Sequence, residues 1–252
     1  MISLAAWESA FFGVRTARLE HDAPTEADLT HADTWCTAHH IALCAWLTRP
    51  DRAETHHLAI RFGWQMMDFR VTLDHDLRHL PTPKTPTRTH REDDLPALEC
   101  IARTSFTDSR LALDPYFPAQ ARVADMYGAW LRRRCGDTHA EGTFAPADHV
   151  VVADHAGQAA GFVTCVLRPP EPDGQRMGVV DLVAVESGAR GLYIGESMVC
   201  AALAWFKSQG CTTVEVVTQG RNTRAQRTYN RCGFLMRRAQ TWYHKWYDTP
   251  HV

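Results

Sequence analysis

An α/β fold is what this sequence predicts, with a smaller α/β unit ahead of a larger domain. Three observations carry the prediction. Over residues 91–247, helical and strand-type apolar spacing succeed one another in the order αα-βββ-α-β-α-ββ. Within that order, residues 179–210 run from a β-branched stretch through a glycine turn into a helical pattern without a break. Ahead of it, residues 81–90 hold Pro81, Pro83 and Pro86 and have no apolar periodicity, which marks an extended linker after a first unit of 80 residues.

In the first unit, residues 11–19 and 64–73 have strand character, and residues 33–47 and 52–62 have helical spacing. After the linker, residues 92–106 and 116–134 predict two helices. Residues 150–153 and 159–167 predict two strands, joined through the hairpin turn Asp154, His155, Ala156, Gly157. A strand at 177–185, a helix at 195–209, a strand at 212–218, a helix at 222–231 and a last strand pair at 235–247 complete the chain. Nothing in it reads as a repeat or a low-complexity tract.

Composition narrows the function classes. A chain of 252 residues can bury a core as one large domain or two small ones. The formal net charge of −2 argues against nucleic acid as a partner, since such proteins carry a basic footprint. No apolar run approaches the roughly 18 residues of a membrane span, and the N-terminal segment lacks a basic leader, so a cytoplasmic protein is expected. The eight cysteines form no CxxC pair and are read as free thiols, with Cys200 and Cys232 as small buried side chains in helices. The 14 histidines include His39 and His40, His56 and His57, and the pair His75 and His79 at i,i+4. None has the carboxylate or cysteine neighbours of a zinc site, so surface histidines and no metal are expected.

The chemistry concentrates at 179–234. The turn Arg190, Gly191, Leu192, Tyr193, Ile194, Gly195 opens a helix directly after a strand. Unpaired N–H groups and the positive end of the helix dipole converge there, which suits a pyrophosphate. Downstream, Asn222 and Tyr229 stand seven apart on one helical face, with about 10 Å of rise between them. Asn222 could serve as a helix cap, as a donor and acceptor for an extended ligand, or as both. Tyr229 could be a core aromatic or a proton donor.

Strand, RGxxxG turn, helix, second strand, and a helix carrying Asn222 and Tyr229 and ending in Gly233 and Phe234 together resemble the GNAT superfamily of acetyl-CoA-dependent N-acetyltransferases. The resemblance implies a mixed sheet and acetyl-CoA as co-substrate, held by Arg190, Gly191, Leu192, Tyr193, Ile194, Gly195 and Asn222. It also implies backbone contacts from a splayed strand at Val183 and Val185, and Tyr229 as the general acid at the departing sulfur. One letter departs from the family pattern. Tyr193 stands where the middle glycine is usual, and a positive φ there would disfavour tyrosine.

A narrower likeness spans most of the chain. Trp7, Glu8, Phe11, Phe12 and Gly13, then Ser105, Phe106, Asp108 and Arg110, then Asp114, Pro115, Tyr116 and Phe117, and finally Thr241, Trp242 and Tyr243 resemble the TDP-fucosamine acetyltransferase family. That likeness implies a nucleotide-linked amino-deoxy sugar as acceptor and a role in cell-surface polysaccharide biosynthesis. It suggests Asp68 as a carboxylate that takes the amine proton through water, with an exposed strand-edge aspartate as the alternative. Arg110 is a candidate for the sugar nucleotide's phosphates, with a solvated arginine as the alternative. Residues 136–150 look inserted, so the acceptor pocket transfers least well. Competing expectations are acetylation of another small amine or a protein N-terminus, and a catalytically silent acyl-CoA-binding module. A homodimer is left open.

Overall fold

Strands from the first 80 residues and strands from the rest of the chain are built into one mixed sheet. The computed structural model describes residues 1–49 and 51–247, and the elements below belong to those residues. The first segment reads β1 (Ile2–Leu4), α1 (Ala6–Phe12), β2 (Thr16–Glu20), α2 (Glu26–Ala38), β3 (Leu43–Thr48), α3 (Ala53–Arg61) and β4 (Gln65–His75). Then come β5 (Arg88–Thr89), α4 (Leu95–Ser105), α5 (Arg122–Arg134), β6 (His149–His155), β7 (Gln158–Leu167) and β8 (Met177–Val185). The chain closes with α6 (Ile194–Ser208), β9 (Thr213–Gln219), α7 (Thr223–Arg231) and β10 (Leu235–Trp246). The spatial order is β1-β2-β3-β10-β4-β9-β8-β7-β6-β5, with β2–β3 and β8–β9 parallel and the other pairs antiparallel.

Four expectations from the sequence change. Residues 11–19 are not one strand: α1 runs to Phe12, and Gly13 ends it in the left-handed region (φ 68°) before β2 begins. The helix expected over 33–47 stops at Ala38. Its apolar continuation is β3, whose residues are nearly all buried, and periodicity cannot separate such a strand from a buried helix. Helix α5 starts at Arg122 rather than at 116. The last strand pair is a single strand of 12 residues, β10, whose partners are β3 and β4 of the first segment. The hairpin at 154–157 is where it was expected, with Ala156 and Gly157 at positive φ (51° and 82°) as a tight two-residue turn requires.

Both sheet faces are covered. Along β6 the side chains alternate: Val151 and Ala153 join the core beneath α6 and α7, while Val150 and Val152 join the one beneath α1, α4 and α5. A third cluster, around Trp46, Leu29 and Ala59, packs α2 and α3 on the β2–β3 side. Helix α6 lies close to the sheet because Gly178 of β8 leaves room for the ring of Phe206, which any Cβ there would strike. Burying a phenylalanine such as Phe206 stabilises the fold by about 1.5–3 kcal/mol. That contact fixes how α6 lies on the sheet, and so where its N-terminus lies.

Candidate active site

Parallel strands β8 and β9 pair only from Met177↔Thr213 to Val180↔Val216, and then they part. From there β9 continues its ladder with β4 alone, over Thr72↔Val217 to Arg70↔Gln219. Strand β8 continues with β7 alone, after a register shift between Val163 and Cys165. At that bulge the Leu182 N–H donates to Thr164 Oγ1 (2.9 Å). Glu186 N–H donates to the Ala160 carbonyl, again on the β7 side (2.8 Å). Backbone groups alternate edge to edge along a strand, so those of Val183 and Val185 turn to the edge that β9 has left. The Val185 carbonyl indeed meets Arg190 Nε on that edge (3.1 Å).

The turn from β8 to α6 follows directly. Gly191 has φ 85°, with no neighbour within 4 Å of where a Cβ would stand, so backbone conformation rather than crowding is what calls for glycine. Tyr193 adopts φ 61°, ψ 7° as the residue before α6, so the left-handed geometry expected to disfavour tyrosine is present with tyrosine in it. Its ring is half exposed and lies beneath Lys84 Nζ, 4.1 Å from the centroid. The first α6 backbone bond is Ser197 N–H to the Tyr193 carbonyl (2.9 Å), which leaves the N–H groups of Ile194, Gly195 and Glu196 without intrahelical partners. These donors, the helix dipole and the splayed edge of β8 follow one another at the start of α6. An elongated ligand with an anionic end and amide groups fits that donor set.

Helix α7 runs beside the start of α6, and at its end Cys232 Sγ donates to the Glu196 carbonyl (3.7 Å). Asn222 caps α7, accepting from Ala225 N–H through Oδ1 (3.1 Å). The cap uses the amide oxygen, and the amide NH2 is a separate donor. Tyr229, 5% exposed, packs on Phe234 with ring centroids 5.7 Å apart. Its hydroxyl has no hydrogen-bond partner among the described residues. Burial pushes the phenol well above its ordinary pKa, so it keeps its proton throughout the physiological range. Phe234 in turn meets His75 edge-on at 5.3 Å. His75 Nδ1 accepts from Leu77 N–H (2.9 Å), and its other nitrogen faces the Cys232 carbonyl. The surface position expected for His75 on i,i+4 spacing is overturned: it ends strand β4 and is buried.

Asp68 and Arg110 share the neighbourhood of Trp242. Asp68 is on β4 directly opposite Trp242 of β10, and at 3% exposure it is no strand-edge aspartate. It accepts from Phe69 N–H (2.8 Å) and from Arg221 Nε (3.3 Å), the residue before Asn222. Burial raises its pKa more than Arg221 lowers it. Arg110 is not solvated either. Its guanidinium lies 4.6 Å over the Trp242 ring, 3.5 Å from Glu8 and 3.0 Å from His244 Nε2. An arginine only donates, so His244 Nε2 accepts and its Nδ1–H donates to Asp114 (2.6 Å). Glu8 also pairs with Arg18, so the chain of charges from Asp114 to Arg18 is balanced. Two surface clefts bordered by α5 hold none of these residues.

The structure sets Val183, Val185 and residues 190–195 along the freed edge of β8 and the start of α6, brings Ile194 and Tyr229 into one core cluster against which Val183 and Val185 pack, and puts Asp68 next to Arg221 at the start of α7. Arg110 belongs to a buried ionic network beyond Trp242. The sequence reading missed Asp181, which accepts from Trp130 Nε1 (3.0 Å) and Arg134 Nε (2.8 Å) at the point of splay. An aspartate inside a β-branched run was the available signal. It also missed Lys84, hidden in what read as a linker, and His244, whose partners are more than a hundred residues away in sequence.

Residues 112–234 match the Acetyltransferase (GNAT) family model. The dTDP-fucosamine acetyltransferase of Escherichia coli O6:H1 is 26% identical over 248 residues, covering 95% of both chains. Spore coat polysaccharide biosynthesis protein SpsD of Bacillus subtilis is 30% identical over 146 residues, 58% of this chain and 45% of that protein. A mycothiol acetyltransferase of Rhodococcus erythropolis is 31% identical over 109 residues, 42% of this chain and 36% of that one. The chain therefore spans less than half the length of the last two. Among solved structures, a GCN5-related N-acetyltransferase from Sphaerobacter thermophilus superposes with a TM-score of 0.64 at 14% identity, over 100% of this chain and 77% of that one. That likeness is one of fold.

Proposed function

We propose that this chain, which carries a GNAT acetyltransferase domain, is an acetyl-CoA-dependent N-acetyltransferase whose acceptor is the amino group of a nucleotide-linked amino-deoxy sugar. The observation that carries the first half is the parting of β8 from β9 beside the left-handed turn that opens α6, with Tyr229 buried in the same core cluster as Ile194 of that turn. The second half is supported by the likeness to dTDP-fucosamine acetyltransferase, which runs through the first 80 residues as well as the rest.

Acetyl-CoA supplies an acetyl group activated as a thioester. The turn amides at 191–195 would hold its pyrophosphate, and Asn222 an amide of its pantetheine arm. The outward N–H groups of Val183 and Val185 would donate to the pantetheine and to the thioester carbonyl oxygen, where acyl transfer develops negative charge. Tyr229 holds a proton at its hydroxyl for the sulfur as the C–S bond breaks. The acceptor must present a neutral amine, and Asp68 receives the proton through water. Its burial makes it a stronger base than an exposed aspartate, and the Arg221 guanidinium beside it opposes that shift. Arg110, its guanidinium stacked on Trp242, is the candidate for the acceptor's phosphate oxygens.

Thiol release from acetyl-CoA, measured against a panel of nucleotide 4-amino and 3-amino sugars, tests the proposal. Simple polyamines and a peptide with a free N-terminus serve as competing acceptors. Preference for a nucleotide amino sugar supports it. Turnover confined to peptide or polyamine would replace the sugar half, and no turnover despite tight acetyl-CoA binding would favour a silent binding module.

A further inference from the structure

The segment 81–90 reads as a spacer, yet its backbone is fastened to the first turn of α6. Lys84 N–H and Thr85 N–H both donate to Ser197 Oγ (2.9 Å each), and Ser197 is fully buried. Lys84 is therefore held over the turn at 190–195 by its main chain, independently of its side chain. Its ammonium covers the Tyr193 ring at 4.1 Å and pairs with Glu196 Oε1 at 2.6 Å.

Glu196 makes that arrangement informative. It stands in the first turn of α6, and its side chain is only 11% exposed. A carboxylate there suits the helix dipole of the free protein. It also puts a negative charge beside the N–H groups that the proposed function assigns to a pyrophosphate. A partly buried charge is poorly screened, so an unpaired Glu196 would repel a phosphate a few ångströms away. Lys84 cancels it.

Resting on the proposed use of this turn for acetyl-CoA, we infer that Lys84 is a cofactor-affinity residue supplied by the 81–90 segment: it neutralises Glu196 so that the turn accepts the doubly charged pyrophosphate. The αL conformation of Tyr193 fits the same arrangement, because it presents the ring face on which the ammonium rests. A glycine in that position would offer no such platform.

The test is calorimetric binding of CoA to the full chain and to Lys84→Met, Glu196→Gln and the double variant, with S-acetyl-pantetheine as the phosphate-free comparison by KM. Methionine keeps the apolar stem over Tyr193 and leaves both backbone bonds to Ser197 in place. CoA affinity should fall about tenfold in Lys84→Met at low salt, less at about 0.5 M salt. It should return to within about twofold of wild type in the double variant, while the KM for S-acetyl-pantetheine stays unchanged throughout. Unaltered CoA affinity in Lys84→Met overturns the inference, as does an equal loss for the phosphate-free donor. A double variant as weak as Lys84→Met overturns it too, since Lys84 would then act on something other than Glu196. If the wild-type chain binds no CoA, the use of this turn for acetyl-CoA falls first, and this inference with it.

Discussion

Arg221, one residue before the α7 cap, donates through Nε to the buried carboxylate of Asp68 on β4 at 3.3 Å. The pair joins the segment before residue 80 to the entrance of the helix that carries Tyr229. Because burial raises the Asp68 pKa above its unfolded value, its ionised form costs stability once pH exceeds that unfolded value. A carboxylate kept ionised at such a cost is a candidate for chemistry rather than for holding the fold. Asp68→Asn should therefore be no less stable than wild type at pH 7, by thermal melting. Its turnover should fall at neutral pH and recover toward pH 9, where more of the acceptor amine is already neutral. A lowered melting temperature with unchanged turnover would make the residue structural.

Tyr229→Phe removes one hydroxyl from a site where it has no partner among the described residues, so stability should change by less than about 1 kcal/mol. Turnover should drop by roughly 10²-fold or more as the proton at the departing sulfur is lost, with the KM for acetyl-CoA nearly constant. Steady-state kinetics on both donor and acceptor separate these terms. Near wild-type turnover would leave Tyr229 as a core aromatic beside Phe234.

What the sequence made legible was local. The turn at 190–195, the Asn222 to Tyr229 helix and β8 were all visible because each is encoded by neighbours within a few residues. The exchange of partners between β4 and β10 was not, because pairing across about 170 residues leaves no periodic trace. That exchange is what makes Asp68 buried: Trp242 is opposite it and Arg221 beside it, so a strand that reads as an edge stands in the interior of the sheet. The His244–Arg110–Glu8 network was hidden for the same reason. Lys84 was hidden by composition, since a proline-rich stretch reads as solvated even where a buried serine anchors its amides.

Gly191→Pro addresses the turn itself. Proline is held near φ −65°, whereas Gly191 stands at 85°, so the substitution both removes an N–H and forbids the observed backbone. CoA affinity should weaken at least about tenfold, or ~1.4 kcal/mol. Circular dichroism and melting confirm that the variant folds. Unchanged affinity by calorimetry in a folded variant would move the pyrophosphate elsewhere.

The acid limb of stability should depend on His75. Its Nδ1 accepts from Leu77 N–H and its ring is buried against Phe234, so protonation would break a hydrogen bond and bury a charge. Burial lowers its folded pKa accordingly. An unfolded histidine takes up a proton near pH 6.5, whereas the folded one does so only at its lower value. The stability His75 contributes is therefore complete above about pH 6.5 and is lost as pH falls toward the folded value, by up to about 1.4 kcal/mol per pH unit for each such group. His149 and His244 are shifted in the same direction and add to the slope. His75→Phe retains an aromatic ring against Phe234 but cannot titrate. It should lower stability at pH 7.5, where the Leu77 N–H loses its acceptor, and yet flatten the decline between about pH 6.5 and 5 by at most one proton's worth. Urea melts of both proteins across that range measure the slope directly. Parallel curves would mean that His75 is protonated in the folded protein as readily as in the unfolded one, against the hydrogen bond that Leu77 donates to it.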